Sequence, residues 1–268
     1  MPAFIIALLL ATALVGTGCG SPSPQSSQTG NSNRQSPAVS AATETAAEVT
    51  SPQPATFISG TTSEDAPHYT VDMAYPVMHG GSDDARAAIN ASVGAYVATT
   101  TAGFKDYAKD YTPTPSDAKY TLQTGYGIPL NTEDWIALVF SGYEFTGGAH
   151  GMHIYETQVF DAKTGERATL DSLFASSTYL TTLSRLYADR LKLTDGVKSM
   201  SDDDWLKQGT DPSVADNYRY WYLAPDGLHT IFPPYQVAAY AAGDFDISIP
   251  YPELKGLLKP EVQSSLVK

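Results

Sequence analysis

The chain has one cysteine, Cys19, and no second thiol with which to form an internal disulfide. Basic residues are also scarce: 16 Lys and Arg stand against 29 Asp and Glu, for a formal charge of −13. An acidic domain is repelled by nucleic acid and by anionic lipid, so neither is an expected partner, whereas a cation or a basic protein would be attracted. No apolar run reaches the roughly 20 residues that span a bilayer. The Gly-x-Ser-x-Gly elbow, the His-Glu-x-x-His helix, the phosphate-binding glycine loop and the dinucleotide fingerprint are all missing. The sequence therefore offers an enzyme none of these catalytic motifs.

What is present begins with an apolar stretch over residues 2–15, followed by Gly16-Thr17-Gly18-Cys19. A short apolar region ending in small residues fits an export signal. The cysteine just after it fits lipoprotein maturation, although Gly16 stands where leucine is usual. An exported chain with one unpaired thiol needs an explanation, and acylation of Cys19 supplies it. The plainer alternative is an ordinary signal peptide with a chance cysteine. With Cys19 acylated, no free thiol is left for cysteine catalysis. The reading is therefore a signal peptide over 1–18 and a lipid-bearing Cys19. The domain would be exported and anchored to the cell membrane through that lipid, on the extracytoplasmic side.

Residues 20–55 are rich in Ser, Pro, Gln, Thr, Asn and Ala, lack aromatics, and carry only Arg34, Glu44 and Glu48 as charges. Such a segment cannot bury enough apolar surface to offset the entropy of ordering, so 19–55 is predicted to be a disordered tether. As a coil it would reach roughly 35 Å.

From His68 onward the patterning is that of a folded domain. Tyr69, Val71, Met73, Tyr75 and Val77 alternate as a half-buried strand. Ser82 with Asp83 and Asp84 starts a long helix whose stripe is Ile89, Val93, Tyr96, Phe104 and Tyr107. Strands follow at Tyr120–Leu130, Trp135–Phe145 and His150–Phe160, joined as an antiparallel meander. The middle one is apolar on both sides and so belongs inside a covered sheet. A second helix is predicted over Ser172–Lys192 and a short helical turn at Asp202–Lys207. Strands at Tyr218–Leu223 and Leu228–Phe232 close on Pro225-Asp226-Gly227. A last strand holds Phe245, Ile247 and Ile249, and a short closing helix runs over Tyr251–Leu258. The expected fold is α+β: a mainly antiparallel sheet with two longer helices and a short C-terminal helix, one domain of two fused parts at 56–145 and 146–268.

Candidate chemistry is sparse. His150, His153 and Glu156 invite a metal reading, but residues three apart on a strand face opposite ways, which separates His153 from the other two. Asp244 and Asp246 share a face and could bridge a cation; the solvated side of an amphipathic strand explains them as well. Asp202–Asp204 read as a capped helix start. No metal or cofactor is expected. The 17 tyrosines all lie at or after position 69, and Tyr218, Tyr220 and Tyr222 are expected to share a strand face. Tyrosine joins apolar area to a polar tip and suits recognition surfaces, though packing a helix onto a sheet is the commoner use.

Three ordered segments carry a resemblance: Tyr143–His150, then Phe160–Gly165 with Leu170–Phe174, then Phe232–Gly243 with Ile249–Lys255. Together they resemble the paired extracytoplasmic domains of unknown function found in the anti-sigma factor RsiV and beside the catalytic domain of the peptidoglycan deacetylase PdaC. The secreted mycobacterial immunogenic-protein family is also similar. The resemblance covers roughly residues 65–260 and implies a two-part α+β domain outside the membrane. It implies a binding or sensing role, as in RsiV, whose domain binds lysozyme, and it transfers no catalytic residue. The binding surface expected on these grounds is Tyr143, Gly147, Gly148, His150, Tyr218, Tyr220, Tyr222 and Tyr235. Its expected ligand is a basic wall-associated protein of the lysozyme type or a cell-wall glycan. The alternatives are an enzyme on peptidoglycan or another envelope glycan, using Glu144, His150 or Asp244 as acid–base groups, and a structural envelope protein.

Overall fold

The structure is a computed structural model that describes residues 54–112, 114 and 118–267. The apolar leader, Cys19 and the tether lie outside those residues. The described residues fall in one unit, Thr50–Lys268.

Two strands, β1 (Phe57–Asp65) and β2 (Tyr69–Met78), open the fold as an antiparallel pair. Helix α1 (Asp83–Ala108) then begins on Ser82, whose hydroxyl accepts the Ala85 N–H at 3.1 Å, with Asp83 and Asp84 in the first turn. β3 (Tyr120–Asn131) lies parallel to β2, an arrangement that needs a long crossover, and α1 is that crossover. β4 (Trp135–Phe145) and β5 (Met152–Asp161) complete the meander, giving a five-stranded sheet in the order β1-β2-β3-β4-β5.

β4 is covered on both faces, as its sequence implies. Ile136, Leu138 and Phe140 pack towards α1 with Ile89 and Val93, while Ala137 and Val139 face the opposite way into the larger core. That larger core belongs to the second half of the chain. It contains α2 (Tyr179–Leu191), α3 (Asp195–Met200), α4 (Asp203–Gly209) and a three-stranded antiparallel sheet of β6 (Trp221–Ala224), β7 (Gly227–Phe232) and β8 (Phe245–Ile249). α4 starts on Asp202, whose carboxylate accepts the Trp205 N–H. α5 (Pro260–Leu266) returns to β4, where the Trp135 indole donates to the Ser265 hydroxyl at 2.7 Å. The five-stranded sheet runs across position 145, since β4 and β5 pair throughout.

Several expectations shift. β1 is a strand that the tether reading stops short of. The second helix begins at Tyr179, preceded by a separate 3-10 turn at Leu170–Leu173. Residues Ala215–Tyr218 form a 3-10 turn, so strand β6 starts at Trp221. The closing helix is a 3-10 turn at Tyr251–Leu254; Gly256, at φ 80°, stops it, and Pro260 in the first turn starts α5. Tyr107 leaves the α1 stripe and is 64% exposed, while Val97 joins the buried face.

Candidate functional site

The six-residue connection from β4 to β5 sets the site. Gly147 and Gly148 take φ of 96° and 83°, values that an L side chain resists, and they turn the chain sharply. His150 therefore precedes β5 instead of lying in it. Gly151 follows, buried, at a close approach: a Cβ there would lie 2.3 Å from the Glu144 carbonyl oxygen and 2.5 Å from the Tyr143 ring. Its N–H donates to the Tyr143 hydroxyl. Its carbonyl accepts the Tyr240 hydroxyl at 2.9 Å and lies 2.9 Å from His150 Nδ1.

These bonds assemble a strip of rings. His150 stacks on Tyr240 with centroids 4.0 Å apart, and Tyr240 lies 5.4 Å from Tyr235. His153 packs edge-on to Tyr143, Tyr155 and Tyr240 at 6.3–6.5 Å. Tyr155 meets Tyr220 at 5.7 Å, and the Arg219 guanidinium sits 4.4 Å over the Tyr220 ring. Asp244 accepts from His153 Nδ1 at 3.1 Å. Burial, then the nearby carboxylates of Asp244 and Asp246, push the Tyr155 hydroxyl well up, so it stays protonated, engaged with Asp244 and 3.3 Å from His153 Nδ1.

Tyr235 is 49% exposed and, at φ 72°, is the non-glycine residue with positive φ among those described. Such a backbone costs about 1–3 kcal/mol and persists only when its surroundings hold it. The Trp205 indole donates to the Tyr235 carbonyl at 2.9 Å, and the Gln236 amide donates to the Gly209 and Asn217 carbonyls. One tertiary bond to Tyr235 itself and two from its neighbour Gln236 hold this backbone conformation at an exposed tyrosine.

A second cluster flanks the strip on β7 and β8. His229 bonds Asp246 through Nδ1 and Asp226 through Nε2, both at 3.0 Å, and stacks on Tyr222, whose hydroxyl donates to Asp246. Burial pushes the His229 pKa down, but the two carboxylates outweigh it and the net shift is upward. A raised histidine stabilises the fold in full below its unfolded value, near 6.5, and that contribution disappears as pH climbs through the folded value. Urea unfolding should therefore show stability falling through a window above pH 6.5, and Asp246→Asn should flatten that slope. An unchanged slope would mean that Asp246 does not hold the imidazolium.

The structure thus joins Tyr143, His150, Tyr220 and Tyr235 of the expected surface. It separates two others. Tyr218 is 1% exposed and lies in the core with Tyr187 and Phe232, because the 3-10 turn removes it from the strand face. Tyr222 is buried against His229. Gly147 and Gly148 act through the bend, Gly147 lying beside Tyr120. His153 does not stand apart from His150 as strand alternation implies: with the strand beginning at Met152, both rings reach Tyr240, and Glu156 is on the α1 face, paired with Arg167. Glu144 also faces α1, opposite Leu122, while Asp244 lies on the other side with His153, so the proposed acid–base groups do not converge. Among the described residues no three His, Cys, Asp or Glu side chains gather as a metal set. Sequence reasoning missed Tyr155, Tyr240 and Arg219, and singled out His153 and Asp244 for metal or acid–base chemistry and not as members of the strip. Tyr240 lay within the Phe232–Gly243 motif and could have been taken with Tyr235.

Among the described residues no helix is long and apolar enough to cross a membrane. Residues 62–153 match the family model described as deacetylase PdaC, and residues 171–252 match that of a protein of unknown function, DUF3298. The peptidoglycan-N-acetylmuramic acid deacetylase PdaC of Bacillus subtilis is 30% identical over 159 residues, covering 59% of this chain and 33% of that protein. The aligned part of this chain thus spans a third of that relative's length. A DUF3298-family structure from Bacteroides fragilis is 21% identical with a TM-score of 0.59, covering 80% of this chain and 97% of that one. Another from Pseudomonas aeruginosa is 16% identical with a TM-score of 0.54, covering 79% and 97%. Both share the fold. Tyr143, His150 and His153 lie in the first matched segment and Tyr220, Tyr235, Tyr240 and Asp244 in the second, so the strip is built where the two meet. Segments that match the PdaC and DUF3298 family models thus lie in tandem along the chain, domain types that fit an extracytoplasmic protein of the cell envelope.

Proposed function

We propose that this chain is an envelope lipoprotein, exported by residues 1–18 and anchored through Cys19, whose outer domain binds a cell-wall glycan without transforming it. The observation that carries this reading is the half-buried strip of rings from Tyr235 through Tyr240, His150 and His153 to Tyr155 and Tyr220, exposed at Tyr235 and His150 and packed on the core at Tyr155 and Tyr220. Flat rings with polar tips suit sugar faces, which combine apolar C–H surfaces with hydroxyl rims. The similarity to a protein named for peptidoglycan supports the choice of polymer. An enzyme on the same polymer is the alternative that the relative's name favours, but Glu144 lies on the face away from His150 and Asp244.

A second reading rests on charge. Asp226, Asp244 and Asp246 line one flank in a chain of net charge −13, which would draw in a basic hydrolase of the lysozyme type.

One experiment separates them. Full-length chain should fractionate with membranes through Cys19, and the Cys19→Ser form should not. Both should sediment with insoluble wall sacculi, and Tyr240→Ala should weaken sedimentation about tenfold, near 1.4 kcal/mol. Wild-type protein left in the supernatant sinks the glycan reading. Salt-sensitive capture of lysozyme in its place would favour the second.

A further inference from the structure

We infer that an open cleft between the two sheets is a subsite for a sugar bearing a free ammonium group in place of an acetamide; this rests on the glycan reading above and sharpens it.

The cleft measures about 420 Å³ and is lined by Gly127, Val139, Ser141, Tyr222, Ile231 and Asp246 among others. That size lies within the usual range for small-ligand sites. Its floor is unusual. Gly127 pairs with Val139 and lies on the sheet face that the Val139 and Ser141 side chains share; Gly125, opposite Ser141, continues that face beyond the lining of the cleft. A Cβ at either would meet nothing within 4 Å, and neither has the positive φ that would require glycine. Glycine inside a strand weakens it, and one accepted reason is that a ligand approaches the backbone there. The β3–β4 register shifts between Gly127 and Leu130, and that irregularity is one reason for glycine at Gly127; with nothing within 4 Å of its would-be Cβ, Gly127 also keeps the space above the floor open.

The walls give the ligand's chemistry. Val139 and Ile231 supply apolar contact, and Tyr222 is held rigid against His229. Asp246 uses one oxygen for the Tyr222 hydroxyl and the other for His229. A carboxylate has about four acceptor positions, so two remain for an incoming donor. None of the lining residues is Lys or Arg; protonated His229 offsets one of the two charges of Asp226 and Asp246, and with Asp244 nearby the flank stays net negative. An ammonium group is favoured there over a neutral acetamide. Ser141 offers a hydroxyl to the sugar rim. Because Ser141 pairs with Tyr155, the cleft continues directly from the ring strip, and a strand lying on the strip would enter it.

The test is a titration of full-length chain with oligomers of β-1,4-linked glucosamine and with their fully N-acetylated counterparts, at a mildly acidic pH that keeps the amine protonated. The free-amine oligomer should bind about tenfold more tightly, the size of one charge-assisted hydrogen bond. Gly127→Leu should erase that preference with the fold intact, since its side chain enters open space; Asp246→Asn should do the same, while Tyr240→Ala should weaken both oligomers alike. Equal binding of the two oligomers, or a preference that survives Gly127→Leu, overturns the subsite and leaves the glycan reading standing. Binding of neither overturns both. A lysine peptide that displaces the free-amine oligomer at lower concentration than the amino sugar itself would overturn the assignment to a sugar.

Discussion

Phe140→Ala should destabilise the domain by about 3–5 kcal/mol, the range for truncating a fully buried phenylalanine. Phe140 has no exposed surface and lies 4.7 Å from the Tyr96 ring, between Ile136 and Leu138 on the sheet and Ile89 and Val93 on α1. It lies at the centre of the contact that holds the crossover helix against the sheet. The same contact buries the Tyr96 hydroxyl, pushing its pKa up to about 12, so truncation would also expose a phenol. Tyr107→Ala on the same helix is the control. Its ring is mostly exposed, and its loss should change stability by no more than about 0.5 kcal/mol. At roughly 2–4 °C per kcal/mol for a domain of this size, melting curves resolve the two easily. Equal losses would mean that α1 packs through a different face.

The contrast between these residues shows where sequence patterning stops. Both belong to aromatic positions that a helical or strand period makes apolar, and β4 is legible because alternation on both faces has a single physical solution, a covered strand. α1 is legible from its cap and stripe, and the β6–β7 turn from Pro225-Asp226. β1 is not. Its outward residues Ser59, Thr61 and Ser63 are polar, and Gly60 lies under the Tyr75 ring, so the strand is held by backbone bonds to β2 and by polar bonds from Tyr69 and Lys105 to Glu64 and from Lys119 to Asp65, with no apolar alternation of its own. Tyr218 was misplaced because a period of two was extended past the point where the strand begins. The ring strip was half legible: the motif residues Tyr143, His150 and Tyr235 belong to it, but they are joined through Tyr240, His153 and Gly151 and not to one another. Their contact with Tyr155, Tyr240 and Asp244 depends on β5 lying beside the segment before β8, as in the bond between Tyr240 and Gly151, 89 residues apart. Local patterning carries no information about pairings at that distance.

Gly151→Ala should do more damage to binding than removal of any one ring of the strip. The added methyl would have to displace the Glu144 carbonyl at 2.3 Å or the Tyr143 ring at 2.5 Å. The carbonyl belongs to β4 where it enters the turn, and the ring is tied to Gly151 itself, so neither can yield alone. The connection must shift. With it go the bond from the Gly151 N–H to Tyr143 and the bond from Tyr240 to the Gly151 carbonyl. Each is worth about 0.5–1.5 kcal/mol, and together they position Tyr143, His150 and Tyr240. Glycan affinity should fall about a hundredfold, roughly 2.7 kcal/mol, against about tenfold for Tyr240→Ala. Gly148→Ala distinguishes contact from loop strain. Gly148 has φ 83° but nothing within 4 Å of its would-be Cβ, so alanine there strains the turn by about 1–2 kcal/mol without touching a ring. If Gly148→Ala weakened binding as much as Gly151→Ala, the rings would owe their places to the turn's shape and not to the two hydrogen bonds at Gly151.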